Sequence, residues 1–308
     1  MPVSSLVLTL IGFFAVATHG FAQSAKPIRE LITCGRERVH IVDLDSVAEG
    51  KVTRPLWTWQ AAGRKDLPPE YHGLFRSTDE CKPVNDGKWI LITSSGGGVA
   101  LVDRATNQVL FYGRAANAHS ADLLPNNRIA VASSRDPRNH RGDALILFDV
   151  RHPGRELWRT ELPAGHGVVW DGKRQILWAL ATADIRAYWL HDWDTPRATM
   201  KLSAVIPLPE DGGHELFPVP GTPFLAVSTA KHCWLFDRDK RTLTPHPQLG
   251  EVSSIKCISQ HPQTGQIAYI QADRPNWWSE RIQFLDPKGT VSFTGEQFYK
   301  VRWNVVNN

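Results

Sequence analysis

The chain has 308 residues, of which 35 are Lys or Arg, 31 are Asp or Glu and four are Cys. So small a basic excess, with no basic run, excludes nucleic acid as the expected partner and is compatible with a small anionic ligand. Four cysteines without a Cys-x-x-Cys pair do not make a disulfide scaffold in a chain of this length, so we expect mostly buried free thiols and at most one bridge. These cysteines are Cys34, Cys81, Cys233 and Cys257.

The N-terminus has the pattern of a secretory signal peptide. An apolar stretch from Leu6 to Ala17 precedes the small residues around Ala22, an order typical of a segment that is removed on export. We therefore expect residues 1–22 to be cleaved, residues 23–308 to form one domain, and the protein to be periplasmic or extracellular. No later segment approaches the roughly 18 apolar residues of a transmembrane helix. We expect a monomer with no membrane span.

An apolar run that closes on Asp recurs about every 45 residues, a period typical of propeller blades. Further runs rich in β-branched and aromatic residues precede and follow it, separated by turn residues, which is the signature of strands. Each repeat then holds four strands, and the chain is long enough for six repeats. The sequence predicts an all-β fold, a six-bladed β-propeller with four-stranded antiparallel blades. The segments that contain the Asp-closing runs are Val39–Asp45, Val99–Ala105, Leu145–Arg151, Arg186–Asp192, Cys233–Asp239 and Ile282–Lys288.

The two ends of the chain predict how the ring closes. The segment Leu31–Gly35 resembles the second strand of a repeat and has no first strand before it. The segment Phe298–Val306 resembles a first strand with nothing after it. We expect this C-terminal strand to complete the first blade, which removes an exposed sheet edge.

A basic or potentially basic residue opens the first strand of each repeat. In a propeller this strand lines the central channel, so we expect these residues to meet at one mouth of the channel. They are Lys82 (with Glu80 beside it), His119, His166, His214, Lys256 and Arg302, with Lys300 as the competing choice for the last position. Repulsion from neighbouring cations should lower the pKa of the histidines and keep them neutral at pH 7.

Three interpretations of this ring remain open. In the first it is an anion pocket, in which the Lys, Arg and Glu side chains bind substrate and the three histidines are catalytic proton carriers. In the second, the histidines bind one divalent metal ion, because three His ligands with an open position form a catalytic metal pattern. In the third, the side chains only hydrogen-bond to the backbone and hold blades together. Trp277, Trp278 and Tyr71 are candidate stacking platforms for sugar rings at the same mouth, and the alternative is that they only pack within their loops.

Several segments together resemble a domain-of-unknown-function family of secreted bacterial propellers. They are ECKPVNDGKWILITSSGGGVALVD, AHSADLLPNNRIAVASS, GHGVVWD, HELFPVPG and SIKC. The resemblance covers nearly the whole mature chain; it implies the propeller fold and the channel-lining positions, and it implies no activity. In architecture alone the chain is also distantly similar to the propeller polysaccharide lyases, of which the oligogalacturonate lyases use a His-rich metal site. Their motif has no residue-by-residue match here, so no role is carried over.

These observations predict a secreted carbohydrate-active propeller, a lyase or another enzyme that acts on acidic oligosaccharides. β-Elimination needs a cation beside the uronate carboxylate, a base for the α-proton and an acid for the leaving oxygen. Lys82, Lys256 or Arg302 would be the cation, His166 or His119 the base, and a neighbouring His or Tyr the acid. A glycoside hydrolase is disfavoured, because it usually needs two carboxylates and only Glu80 and Glu215 lie beside the ring. The alternative, from a different class, is a non-catalytic propeller that binds a ligand or a protein partner.

Overall fold

The structure is a computed structural model that describes Met1 and residues 29–48, 51–52, 54–137 and 141–304. Six blades, each with four antiparallel strands, are arranged in a ring, and their innermost strands are neighbours all the way around it. The predicted six-bladed β-propeller is confirmed.

Each blade is given from its innermost strand outward. Blade 1 contains β26 (Lys300–Trp303), β1 (Glu30–Gly35), β2 (Arg38–Asp43) and β5 (Trp57–Gln60). Blade 2 contains β6 (Thr78–Val84), β7 (Trp89–Ser94), β8 (Gly98–Asp103) and β9 (Val109–Arg114). Blade 3 contains β10 (Ala118–Leu124), β11 (Arg128–Ser133), β12 (Ala144–Asp149) and β13 (Glu156–Glu161).

Blade 4 contains β14 (Gly167–Asp171), β15 (Ile176–Leu180), β16 (Asp184–His191) and β17 (Thr199–Pro207). Blade 5 contains β18 (Glu215–Pro218), β19 (Phe224–Ser228), β20 (Cys233–Asp237) and β21 (Thr242–Pro245). Blade 6 contains β22 (Ile255–Gln260), β23 (Ile267–Gln271), β24 (Arg281–Leu285) and β25 (Gly289–Ser292), and the short strands β3 (Val47–Ala48) and β4 (Lys51–Val52) extend its outer edge. The described helical segments are α1 (Pro69–His72) and 3-10 turns at Leu44–Ser46, Gly73–Phe75 and Pro125–Asn127.

The last strand closes the ring as predicted. β26 pairs antiparallel with β1, with Arg302 opposite Ile32 and Trp303 opposite Leu31. The first blade is therefore built from both ends of the chain, and β1 is not left as an unpaired edge.

The core lies between the blades. The inner two or three strands of each blade are buried on both faces, as in β11, where all six residues from Arg128 to Ser133 are buried. Such strands lose the usual alternation of apolar and polar residues and read as continuous apolar runs. The four cysteines are all free and buried, as expected.

The long insertion between β5 and β6 fills the gap between blades 1 and 2. Its side chains Leu67, Tyr71 and Phe75 are buried in the apolar cluster that these two blades share. The ring of Tyr71 packs edge-on against Tyr112 at a centroid distance of 4.7 Å. The expectation that Tyr71 is a stacking platform at the channel mouth is therefore wrong, because its apolar ring is used to seal the interface between blades.

Within the part of the chain that is described, no helix has the length and apolar character needed to cross a membrane. The expected signal peptide, residues 1–22, lies outside the described residues apart from Met1.

Candidate functional site

Three histidines line one mouth of the channel in a row. His119 lies near the start of β10, and His166 and His214 directly precede β14 and β18, so three consecutive blades contribute one imidazole each. The ring centroids of His119 and His166 are 4.4 Å apart, and those of His166 and His214 are 4.6 Å apart. All three side chains are half-buried, so solvent reaches the row from this mouth.

The three imidazoles are fixed by the same local contact. In each, Nδ1 lies 2.6–2.9 Å from the carbonyl oxygen two residues earlier, in Asn117, Ala164 and Gly212 respectively. Each of those residues has a positive φ, between 42° and 88°, which turns its carbonyl back toward the ring. Because a carbonyl only accepts, Nδ1 carries the hydrogen and Nε2 keeps a lone pair in the neutral ring. No described residue bonds to any of these Nε2 atoms.

The pKa of each histidine is lowered, as predicted, although burial rather than charge repulsion is the leading cause. Burial, with a smaller contribution from repulsion by Lys300 and Lys256, lowers the pKa of His119 to about 4, although the hydrogen bond to the carbonyl of Asn117 opposes this shift. Burial and Lys256 bring the pKa of His214 to about 3, and burial with repulsion from the two neighbouring histidines places the pKa of His166 well below its usual value. At pH 7 the row is neutral and presents three hydrogen-bond acceptors.

The strand register identifies the residues that hold the same position in the other three blades. They are Asp79, Lys256 and Tyr299. Bulges occur at Asp79, His119 and Lys256 in their strands. Tyr299 donates its backbone N–H to β1 at 2.9 Å, as His166 and His214 donate theirs to the second strands of their blades. We call the six residues Asp79, His119, His166, His214, Lys256 and Tyr299 the mouth ring.

Two of the predicted ring positions are corrected by this register. Lys82 and Arg302 lie three residues deeper in their strands than Asp79 and Tyr299, which hold the corresponding positions. Alignment of the blades by their basic side chains gives the wrong register for these two residues, because bulges shift the strand pairing at Asp79, His119 and Lys256. Glu80 also lies below the mouth ring, one residue after Asp79.

Below the mouth ring, ion pairs cross the channel. Arg302 of blade 1 donates to Glu80 of blade 2 through two bonds of 2.9 Å and to Glu215 of blade 5 through one of 2.7 Å. Lys300 lies 3.1 Å from Glu215 and 3.4 Å from Glu80. Blades 1 and 5 are not neighbours in the ring, so these side chains span the lumen and fill it.

Lys82 adds a second crossing. Its Nζ donates to the carbonyl oxygen of Val168 at 2.7 Å and lies 3.4 Å from the carboxylate of Asp122, so it reaches from blade 2 to blade 4. The ring of Phe217 packs 3.9 Å from the Arg302 guanidinium and 5.9 Å from Lys82 Nζ. We call Glu80, Lys82, Glu215, Phe217, Lys300 and Arg302 the channel plug.

The charges of the plug are satisfied within the protein. Burial alone would raise the pKa of Glu80, but Arg302, Lys300 and Lys82 lower it, and the net shift is well downward. Both Arg302 and Glu80 have no exposed surface. The sequence predicts that Lys82, Arg302 and Glu80 bind substrate. In the structure these side chains are buried and their charges are paired within the protein, so the charges are not accessible to a ligand.

Lys256 is different, because it is a buried cation without an anionic partner among the described residues. Only 4% of it is exposed, and its Nζ lies 4.6 Å from the centre of the Trp277 ring. Burial and then the charge of Arg274 lower its pKa to about 8.

Trp277 is itself 64% exposed and lies parallel to His214 at 6.3 Å. The cavity beside Lys256 has a volume of about 400 Å³ and is lined by Ser254, Lys256, Ala272, Arg274, Pro275, Asn276 and Trp277.

Residues 27–308 match the sequence model of DUF6528, a protein family of unknown function. The chain belongs to the DUF6528 family. No curated protein matches the chain. The DUF6528 match includes all six blades, the mouth ring and the plug, and it assigns no activity, so function has to be argued from the site.

In this DUF6528 protein the other two mouth-ring residues are proton-bearing groups. Asp79 is buried and accepts a hydrogen bond from the backbone N–H of Ser95. Burial raises its pKa to about 7. The phenol ring of Tyr299 lies 5.8 Å from His119, edge-on, and burial followed by the charge of Asp79 holds its pKa well above the usual value.

The geometry gives no support to a metal at the three histidines. A carbonyl bonded to Nδ1 is the arrangement that metal-bound histidines commonly have. However, no group of three or more His, Cys, Asp or Glu within the described residues is placed to hold a metal ion.

Sequence reasoning missed Asp79, Tyr299 and Arg274. A signal for Asp79 was present, because it precedes the turn at Asn85 by the same number of residues as His119 precedes the turn at Pro125. Tyr299 and Arg274 have no such signal: the first is not basic, and the second lies on the loop between β23 and β24, which only the fold brings to Lys256.

Proposed function

We propose that the mouth ring of this DUF6528 protein binds an acidic carbohydrate, with Lys256 and Arg274 as the contacts for its carboxylate. The observation that carries this proposal is the buried ammonium of Lys256, which faces a cavity and has no anionic partner in the part of the chain that the structure describes. Burying an unpaired charge costs free energy. A ligand carboxylate in the cavity would remove that cost, which a neutral sugar could not do.

The surroundings of Lys256 suit the rest of a sugar. Trp277 presents an exposed aromatic face next to the cavity, and aromatic faces pack well against apolar surfaces that carry polar edges. The free Nε2 atoms of the three histidines accept hydrogen bonds and donate none, so they match the hydroxyl groups of a carbohydrate. With the N-terminal signal-peptide pattern, the proposal places this binding in the periplasm or outside the cell.

β-Elimination is the second candidate, and the closeness of His119 to Tyr299 favours it. The imidazole Nε2 of His119 or His166 would take the proton α to the carboxylate, the electron pair would form the double bond, and the carbon–oxygen bond to the leaving sugar would break. The Tyr299 hydroxyl would protonate the leaving oxygen. A bound carboxylate would raise the low pKa of the imidazoles and make them better bases. The remaining alternative is a non-catalytic binding module.

Calorimetry with a uronic-acid trisaccharide and its carboxyl-reduced, neutral counterpart tests the binding proposal. The acidic sugar should bind and the neutral one should not. Hydrogen bonds to charged groups contribute about 1.5–3 kcal/mol, so Lys256→Met should weaken binding roughly 10- to 100-fold. Lys231→Met, at an exposed lysine on the neighbouring blade, is the matched control and should leave binding unchanged. Equal binding of both sugars, or equal effects of both variants, would contradict the proposal.

Turnover is tested on the same trisaccharide by the ultraviolet absorbance of an unsaturated product. If elimination occurs, Tyr299→Phe should abolish the product while sparing affinity. Binding with no product under any condition would assign the protein to the non-catalytic class.

A further inference from the structure

The structure assigns a direction of entry to this site. The mouth ring lies at the closed lower end of a blind pocket, so a sugar chain can enter the pocket only with one of its own ends first. We infer that the protein recognises a free uronic acid or the terminal acidic sugar of a chain, and not the interior of a polysaccharide. This inference rests on the proposed function.

The first step is the closed floor. Within the described residues, the channel directly below the mouth ring is filled by hydrogen bonds between blades that are not neighbours, from Arg302 to Glu215 and from Lys82 to Val168. Such bonds have to cross the channel. A chain of sugars could pass only if these ion pairs were broken.

The second step is solvent access. The plug residues Glu80, Glu215 and Arg302 have no exposed surface, and Lys300 has 1%. The three histidines just above them are half-buried. Solvent therefore reaches the mouth ring from above and stops there, which is how a pocket differs from a channel.

The third step is width. His119 of blade 3 and Tyr299 of blade 1 are separated by a whole blade in the ring, and yet their ring centroids are only 5.8 Å apart. The lumen is therefore narrow at this level. The adjoining cavity of about 400 Å³ is near the lower end of the range for small-molecule sites. It suits one or two sugar units.

The fourth step is the rim. Trp277 lies parallel to His214 and is mostly exposed. A terminal sugar whose carboxylate reaches Lys256 would leave its next unit beside the Trp277 face. Further units would extend into solvent and make no contact.

The test is calorimetry with one uronic-acid polymer cut to defined lengths: the monomer, a trisaccharide and a long chain. We expect one protein bound per chain at every length and an affinity per chain that stops rising beyond two or three units. Trp277→Ala removes the ring beside Lys256 as well as the rim, so it should weaken the monomer too, and it should weaken the trisaccharide roughly two- to tenfold more than the monomer. Lys256→Met should weaken all three ligands.

The possible failures are distinguishable. If the number of bound proteins rises in proportion to chain length while Lys256→Met still weakens binding, the terminal recognition is wrong and the proposed function stands. If no uronate of any length binds, the proposed function is wrong and this inference falls with it. If the protein cleaves the chain, products of a single size from the earliest time support terminal recognition, and a mixture of sizes contradicts it.

Discussion

Arg302 donates to Glu80 through two parallel hydrogen bonds, Nε to Oε1 and Nη2 to Oε2, each 2.9 Å long. The two residues are 222 positions apart in the sequence. One belongs to the last strand of the chain and the other to the first strand of blade 2. The ring is therefore closed twice, by the pairing of β26 with β1 and by a buried ion pair inside the channel.

Removing one partner of this pair should destabilise the protein strongly. Arg302→Met keeps much of the side-chain volume and leaves Lys300 as the remaining direct ion-pair partner of Glu80 and Glu215 among the described residues. Breaking a buried ion pair costs about 3–5 kcal/mol. Denaturant unfolding monitored by tryptophan fluorescence measures this loss. Arg159→Met, which breaks the exposed pair with Glu156, is the control and should cost at most about 1 kcal/mol; equal losses would contradict a structural role for the plug.

A second prediction concerns Gly35, at the end of β1. A Cβ on Gly35 would lie 1.8 Å from the carbonyl oxygen of Gln297, in the segment that leads into β26. The Ala side chain of Gly35→Ala would push that segment away. The free energy of unfolding should then fall by about 1–3 kcal/mol or more, as overpacking does. Gly73→Ala is the control, because a Cβ there meets nothing within 4 Å. The two variants should differ clearly in their thermal midpoints.

The repeat made the blades predictable, because every unit carries the same apolar runs and the same turns. It also made the three histidines predictable, because each occupies the same place in its own unit. The plug was not predictable in the same way. It joins Arg302, Glu80 and Glu215 across the channel, and no local pattern relates residues that meet only after the ring has closed. Similarity of charge alone would place Lys82 and Arg302 at the mouth, whereas below it Arg302 pairs with Glu80 and Glu215, and Lys82 pairs with Asp122.

Asp79 should make stability fall as the pH rises. Its pKa is raised from 3.8 to about 7 by burial, so the folded state binds more protons than the unfolded state between these values and loses stability as the pH rises through them. Asp79→Asn keeps an acceptor for the N–H of Ser95 and removes the titration. The variant should match the wild type near pH 4 and exceed it by roughly 2–4 kcal/mol at pH 8. A gain that does not change with pH would contradict the raised pKa.

The histidine row should act in the opposite sense. The pKa of His119 falls from 6.5 to about 4 on folding, so the unfolded state binds more protons than the folded state in that window. The stability is fully present above pH 6.5 and is lost as the pH falls toward 4. The stability of His119→Gln relative to the wild type should therefore be greater at pH 5 than at pH 8, and this difference should increase by about 1–2 kcal/mol between the two pH values. A difference in stability between the two proteins that is the same at pH 5 and pH 8 would contradict the lowered pKa of His119.

Lys256 should give ligand binding its own pH dependence. With a pKa of about 8 in the free protein, its ammonium loses its charge as the pH rises through that value, and a bound carboxylate would raise the pKa again because opposite charges favour the ionised form. Binding of the uronic-acid trisaccharide is then coupled to proton uptake. The affinity for the trisaccharide should be constant near pH 7 and should fall above about pH 8, by up to about tenfold per pH unit. The fall should stop once the pH exceeds the higher pKa that Lys256 has in the complex. Lys256→Met should bind weakly with no such fall. Calorimetry in two buffers of different ionisation enthalpy checks the proton uptake directly; a wild-type affinity that stays flat from pH 7 to pH 9.5 would show that Lys256 does not contact the carboxylate.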